Sequence, residues 1–96
     1  MPRLVWNPAA LRDMDRLHDF LASKNKGAAQ RAVRAIRLAV KTLRLHPEIG
    51  RPVEGELVEL REWVVEFGQG SYVVLYRTDG DEVVLLGVRH RREDGY

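Results

Sequence analysis

A chain of 96 residues, 45% of them apolar, has room for one modest hydrophobic core, so residues 1–96 are read as a single domain. It has no cysteine, which removes disulfide frameworks and thiolate zinc sites, and no apolar run approaches membrane-spanning length. With 16 Lys and Arg against 14 Asp and Glu the net charge is only +2, too little to imply nucleic-acid binding, so where the arginines sit matters more than their number.

In chain order, Arg3–Trp6 is a short β-prone run, expected as an edge strand. Asn7-Pro8 starts a helix, Asn as cap and Pro at the first helical position. Ala10, Met14, Leu17 and Leu21 then form one apolar stripe, with Asp13, Arg16 and Asp19 expected to face water. Ser23–Gly27 breaks the pattern, and so short a loop requires an antiparallel helical hairpin. The second helix, about Ala28 to Leu45, buries Ala29, Ala32, Val33, Ile36, Ala39, Val40 and Leu43. Another face carries Arg31, Arg34, Arg37, Lys41 and Arg44, either a solvated surface or a docking strip for an acidic partner or nucleic acid. Leu38 and Leu45 lie beside that basic stripe, and apolar points among arginines favour a protein partner.

His46-Pro47 ends the helix, because the residue before proline is pushed out of the helical region. Residues 48–56 read as an irregular connection. Three β-prone runs follow from Leu60 to Glu93, separated by Gly68-Gln69-Gly70 and Thr78-Asp79-Gly80-Asp81, which is the pattern of two consecutive hairpins. Strand, helix, helix, strand, strand, strand is an α+β two-layer domain: a helical hairpin packed on one face of a small, mostly antiparallel sheet. Trp6, Leu17, Leu21, Ile36, Val40, Leu43, Val74 and Leu85 are expected in its core.

The inventory for catalysis is thin. His18, His46 and His90 form no i, i+4 pair, so no metal ligand set is expected, and no cofactor. Gly68-Gln69-Gly70 lacks a following helix and reads as a turn rather than a phosphate loop. Ser23 and Ser71 have no base beside them in sequence. What remains is the exit of the last strand, Arg89-His90-Arg91-Arg92, with Arg61 and Arg77 on neighbouring strands. Histidine can move protons and guanidinium groups can stabilise a pentacoordinate phosphate, so metal-independent RNA cleavage is possible chemistry here. Equally, these arginines can pair with Glu62, Glu66, Asp81 or Glu82 at the surface.

The whole layout resembles a known family. Trp6-Asn7-Pro8-Ala9, His46 to Pro52, Leu60-Arg61-Glu62, Tyr72 to Arg77 and Val88 to Glu93, in this order and spacing, are similar to the RelE/ParE superfamily of type II toxins. The ending Arg89–Tyr96 resembles ParE-like plasmid-stabilisation toxins. The resemblance implies growth arrest and a cognate antitoxin whose C-terminal segment wraps the toxin; the lack of a membrane-length apolar run and of a basic-then-apolar N-terminal pattern makes a cytoplasmic location with no membrane association the expectation. The antitoxin contact is expected at Arg31, Arg34, Arg37 and Leu38. RelE-type members, ribosome-dependent mRNA endonucleases, commonly carry an arginine directly after the strand tyrosine; here Tyr72 is followed by Val73, which cannot stabilise phosphate charge. The resemblance therefore implies the ParE branch: a poison of DNA gyrase with no catalytic residues, contacting its target through Arg89, His90, Arg91, Arg92 and Tyr96. The alternative is a RelE-like endonuclease acting on ribosome-bound mRNA, using His90, Arg91 and Arg61.

Overall fold

The computed structural model describes residues 2–68 and 70–91. Strand β1 (Arg3–Trp6) leads into helices α1 (Pro8–Ala22) and α2 (Lys26–Leu45); β2 (Arg51–Pro52), β3 (Arg61–Phe67), β4 (Gly70–Asp79) and β5 (Glu82–His90) follow. They form one sheet in the order β1-β5-β4-β3-β2. β1 runs parallel to β5, and every other pairing is antiparallel. The two-layer α+β arrangement is the expected one.

Local chemistry sets the helix boundaries. Asn7 Oδ1 accepts from Ala9 N at 2.9 Å with Pro8 in the first turn. Asn25 caps α2 the same way, accepting from Ala28 N at 3.0 Å, so α2 starts at Lys26, two residues before the position expected from the apolar pattern. Leu17, Ile36, Val40, Leu43, Val74 and Leu85 are all buried in the core between the hairpin and the sheet, as expected. Trp6 and Leu21 are only partly buried and pack against its margin, as do Val33 and Ala39.

Two further features differ from expectation. Residues 48–56 are not wholly irregular: Arg51 and Pro52 pair with Glu62 and Arg61 to make the short edge strand β2. Asp13 does not simply face water. The β4–β5 register slips between Leu75 and Tyr76, leaving Leu86 without an opposite residue, and just beyond this bulge Asp13 Oδ2 accepts from Val88 N at 3.0 Å. The β4–β5 turn is as tight as its Asp-Gly pair suggests. Asp79 pairs with Glu82, and Gly80 takes a φ of +59°, a conformation glycine adopts without steric cost.

Candidate functional site

Two concave regions lie on opposite faces of the domain. The first runs along the solvent side of the helical hairpin. It is a groove of about 580 Å³ lined by His18, Gln30, Val33, Arg34, Arg37, Leu38 and Lys41, with no acidic side chain in its lining. A smaller hollow of about 280 Å³ continues it toward β1, sharing Arg37 and Lys41 and adding Leu4, Trp6, Leu11, Met14 and Val40. Three of the four residues expected at a partner contact, Arg34, Arg37 and Leu38, therefore line one groove. Arg31 is exposed but outside the lining, its guanidinium folded back toward Gly27. Arg44 leaves the basic stripe altogether: its Nε donates to Pro2 O at 3.0 Å and ties α2 to the N-terminal segment. Leu38 is 56% exposed and stands as an apolar point between the groove's arginines.

The second region is a cleft of about 550 Å³ on the sheet face turned away from the helices, lined by Ile49, Arg51, Glu62, Trp63, Val64, Val73, Arg89 and Arg91. Strand alternation builds it. Val74 and Val88 point into the core, so their neighbours Val73 and Arg89, which oppose each other across β4 and β5, point outward. Val64 opposes Val73, and Glu62 opposes Leu75 on β4 and Arg51 on β2. Glu62 lies between two guanidinium groups, 3.6 Å from Arg51 and 3.8 Å from Arg89.

The same alternation takes His90 and Arg61 elsewhere. His90 opposes Tyr72 on the helix side, its ring meeting the Tyr72 ring edge-on with centroids 5.1 Å apart. Arg61 opposes Tyr76, four residues further along β4, so Arg61 and His90 are roughly 16 Å apart at Cα from strand rise and spacing. Arg61 is occupied there: Nη1 donates to Gly50 O at 2.7 Å and to Glu48 O at 3.2 Å, while Nη2 lies 2.9 Å from Glu59. Arg61, His90 and Arg91 are thus not brought together around Val73. Arg77 pairs with Asp79 at 3.2 Å, away from the exit. Arg89 and Arg91 share the cleft, and Arg92 and Tyr96 lie outside the described residues.

Behind the cleft is a latch that the sequence did not announce. Gly50 N donates to Tyr76 Oη at 2.8 Å, and Tyr76 Oη donates to Pro47 O at 2.7 Å. A Cβ at Gly50 would sit 2.6 Å from Tyr76 Oη and 2.9 Å from Glu62 O, so only glycine fits. Burial pushes the Tyr76 phenol above its ordinary value; the Gly50 N–H and the Arg61 charge pull partly the other way. Tyr76 and Arg61 together hold the 47–50 turn, and with it Ile49 and Arg51 at the lip of the cleft.

Comparison with known proteins gives a consistent family. The sequence model described as "ParE toxin of type II toxin-antitoxin system, parDE" matches residues 4–95. "Toxin RelE3" of Caulobacter vibrioides is 35% identical over 93 residues, covering 97% of this chain and 98% of its own. "Putative toxin Y4kP" of Sinorhizobium fredii is 33% identical over 91 residues, covering 95% and 90%. Among solved structures, a chain of the "Chromosomal ParDE TA system from P. aeruginosa" is similar with a TM-score of 0.78 at 27% identity, covering 94% of this chain and 96% of that one.

Proposed function

We propose that this chain, which belongs to the ParE toxin family of type II toxin–antitoxin systems, arrests growth by binding DNA gyrase and is neutralised by a cognate antitoxin. One observation carries the choice of target. The groups an endonuclease would need, Arg61, His90 and Arg91, are dispersed: one holds a loop, one packs on Tyr72, and only Arg91 faces the cleft. A general acid or base must lie within hydrogen-bond reach of the proton it moves, and the Arg61 guanidinium is held on Gly50 O and Glu48 O, on a strand two away from His90. The outward arginines of the β5 exit, Arg89 and Arg91, suit a protein contact, and Arg92 and Tyr96 follow them in sequence. That target places the protein in the cytoplasm; no helix among the described residues is long and apolar enough to cross a membrane.

The antitoxin is assigned to the helical groove. Its occupant is an acidic, amphipathic segment, since Arg34, Arg37 and Lys41 flank the exposed Leu38 and no carboxylate lines the groove. Such charge pairs set specificity and association rate more than total affinity. Changing Arg34 and Arg37 to glutamate should weaken antitoxin binding and flatten its salt dependence while leaving toxicity; unchanged affinity would move the contact elsewhere.

The RelE names of two Caulobacter relatives favour a second reading, mRNA cleavage on the ribosome. Purified protein assayed in parallel for gyrase supercoiling and for cleavage of ribosome-bound message separates the two. Inhibited supercoiling that persists in His90→Gln supports the gyrase reading. Message cleavage that falls about 10²–10⁴-fold in His90→Gln, with supercoiling untouched, would replace it.

A further inference from the structure

The cleft holds one carboxylate among three guanidinium groups, and that carboxylate is central. Glu62 Oε1 faces Arg51 Nη2 at 3.6 Å and Oε2 faces Arg89 Nη2 at 3.8 Å, one oxygen to each arginine. The Glu62 side chain is 23% exposed against 78% for Arg51 and 43% for Arg89, so it sits deeper than the cations it joins. Its position follows from register, between Leu75 on β4 and Arg51 on β2.

Two guanidinium groups facing across a gap make a fork for phosphate or carboxylate. Here the fork is already filled from within the chain. Each partly exposed pair is weak alone. A phosphodiester approaching either arginine, however, would meet like charge within a few ångström. Of the rest of the lining, Arg91 is a third cation, while Ile49, Trp63, Val64 and Val73 offer apolar surface. We infer that Glu62 is the specificity-determining residue of this cleft: its carboxylate occupies the anion position between Arg51 and Arg89 and keeps nucleic-acid phosphate out. This deepens the protein-target reading above, and rests on it only for the identity of the target.

Glu62→Gln keeps the side-chain shape and removes the charge. A short fluorescein-labelled single-stranded RNA, titrated at low salt by fluorescence anisotropy with the full chain, should bind Glu62→Gln at least about tenfold more tightly than wild type, a factor worth 1.4 kcal/mol. The gain should carry a steeper salt dependence and vanish in Glu62→Gln/Arg89→Gln. Equal binding by wild type and Glu62→Gln overturns the inference, as does a gain that survives loss of Arg89. Arg89→Gln in the otherwise wild-type chain tests it without touching Glu62: a loss of RNA binding greater than that in Arg12→Gln, an exposed arginine outside the cleft, would mean that phosphate already reaches Arg89, and the inference falls. Gyrase supercoiling on the same preparations separates the two failures. An RNA gain without gyrase inhibition by wild type refutes only the target; gyrase inhibition without an RNA gain refutes only the role of Glu62.

Discussion

Tyr76→Phe is the sharpest test of how the cleft is held. The substitution removes one oxygen and leaves a ring of nearly the same shape in the core, where Tyr76 is fully buried. That oxygen accepts from Gly50 N and donates to Pro47 O, so two backbone groups lose their partner at once. The Gly50 N–H is buried, and an unsatisfied buried donor costs about 1–3 kcal/mol; the partly buried Pro47 carbonyl can regain water and adds about 0.5–1 kcal/mol. The expected loss is about 2–3 kcal/mol, read from urea unfolding with an unchanged m-value. Because the turn carries Ile49 and Arg51, growth arrest should also weaken at temperatures where the variant remains folded. A loss below about 0.5 kcal/mol would show that Arg61 alone holds the turn. A changed m-value would show that the folded or unfolded ensemble, rather than the latch, had been altered.

Ile36→Ala or Leu43→Ala should cost about 2–5 kcal/mol in the same unfolding assay, since both side chains are fully buried in α2. Asp13→Ala should cost about 1–3 kcal/mol by stranding the Val88 N–H beside the β4–β5 bulge, whereas a mere surface role would cost almost nothing. The alkaline limb of stability is set in part by Tyr76: its pKa is raised in the folded state, so this contribution is constant below the ordinary value near 10.0 and is lost above it, where the unfolded chain ionises first. Subtracting the pH profile of Tyr76→Phe from that of wild type isolates the effect, and identical profiles above pH ~10 would refute it.

What the sequence made legible is what depends on neighbours a few residues away. The apolar stripes of α1 and α2, the cap at Asn7, the stop at His46-Pro47 and the turn at Asp79-Gly80 are all local, and all were readable. The two-residue β2 exists only because Arg51 and Pro52 meet Glu62 and Arg61, and no local pattern encodes that meeting. Asp13 reads as a solvated residue until a bulge more than sixty residues away presents it with an N–H. The dispersal of Arg61, His90 and Arg91 was partly within reach. His90 is two residues after Val88, and Arg61 two before Trp63 and four before Val65, so strict alternation already sends both to the helix side and Arg89 to the other. Grouping those cations by charge and by neighbouring strands hid a distinction that period two makes.

Groove and cleft lie on opposite faces, so an antitoxin seated only in the groove would leave Arg89 and Arg91 uncovered. Neutralisation in the proposed reading needs a segment that rounds an edge of the sheet. Beyond the end of β1, the edge of β5 is blunted where Asp13 takes the Val88 N–H. On the other side, β2 pairs only with Arg61 and Glu62, which leaves Trp63–Phe67 without a strand partner on that side among the described residues. That stretch borders the cleft through Trp63 and Val64 and is long enough, at about 3.4 Å per residue, to template an added strand. Amide hydrogen exchange with and without antitoxin decides the route. Slowed exchange at alternate residues of Trp63–Phe67 would place the added strand on β3. Slowed exchange confined to Arg3–Trp6 would place it on β1, and the cleft would then have to be closed by some means other than a neighbouring strand.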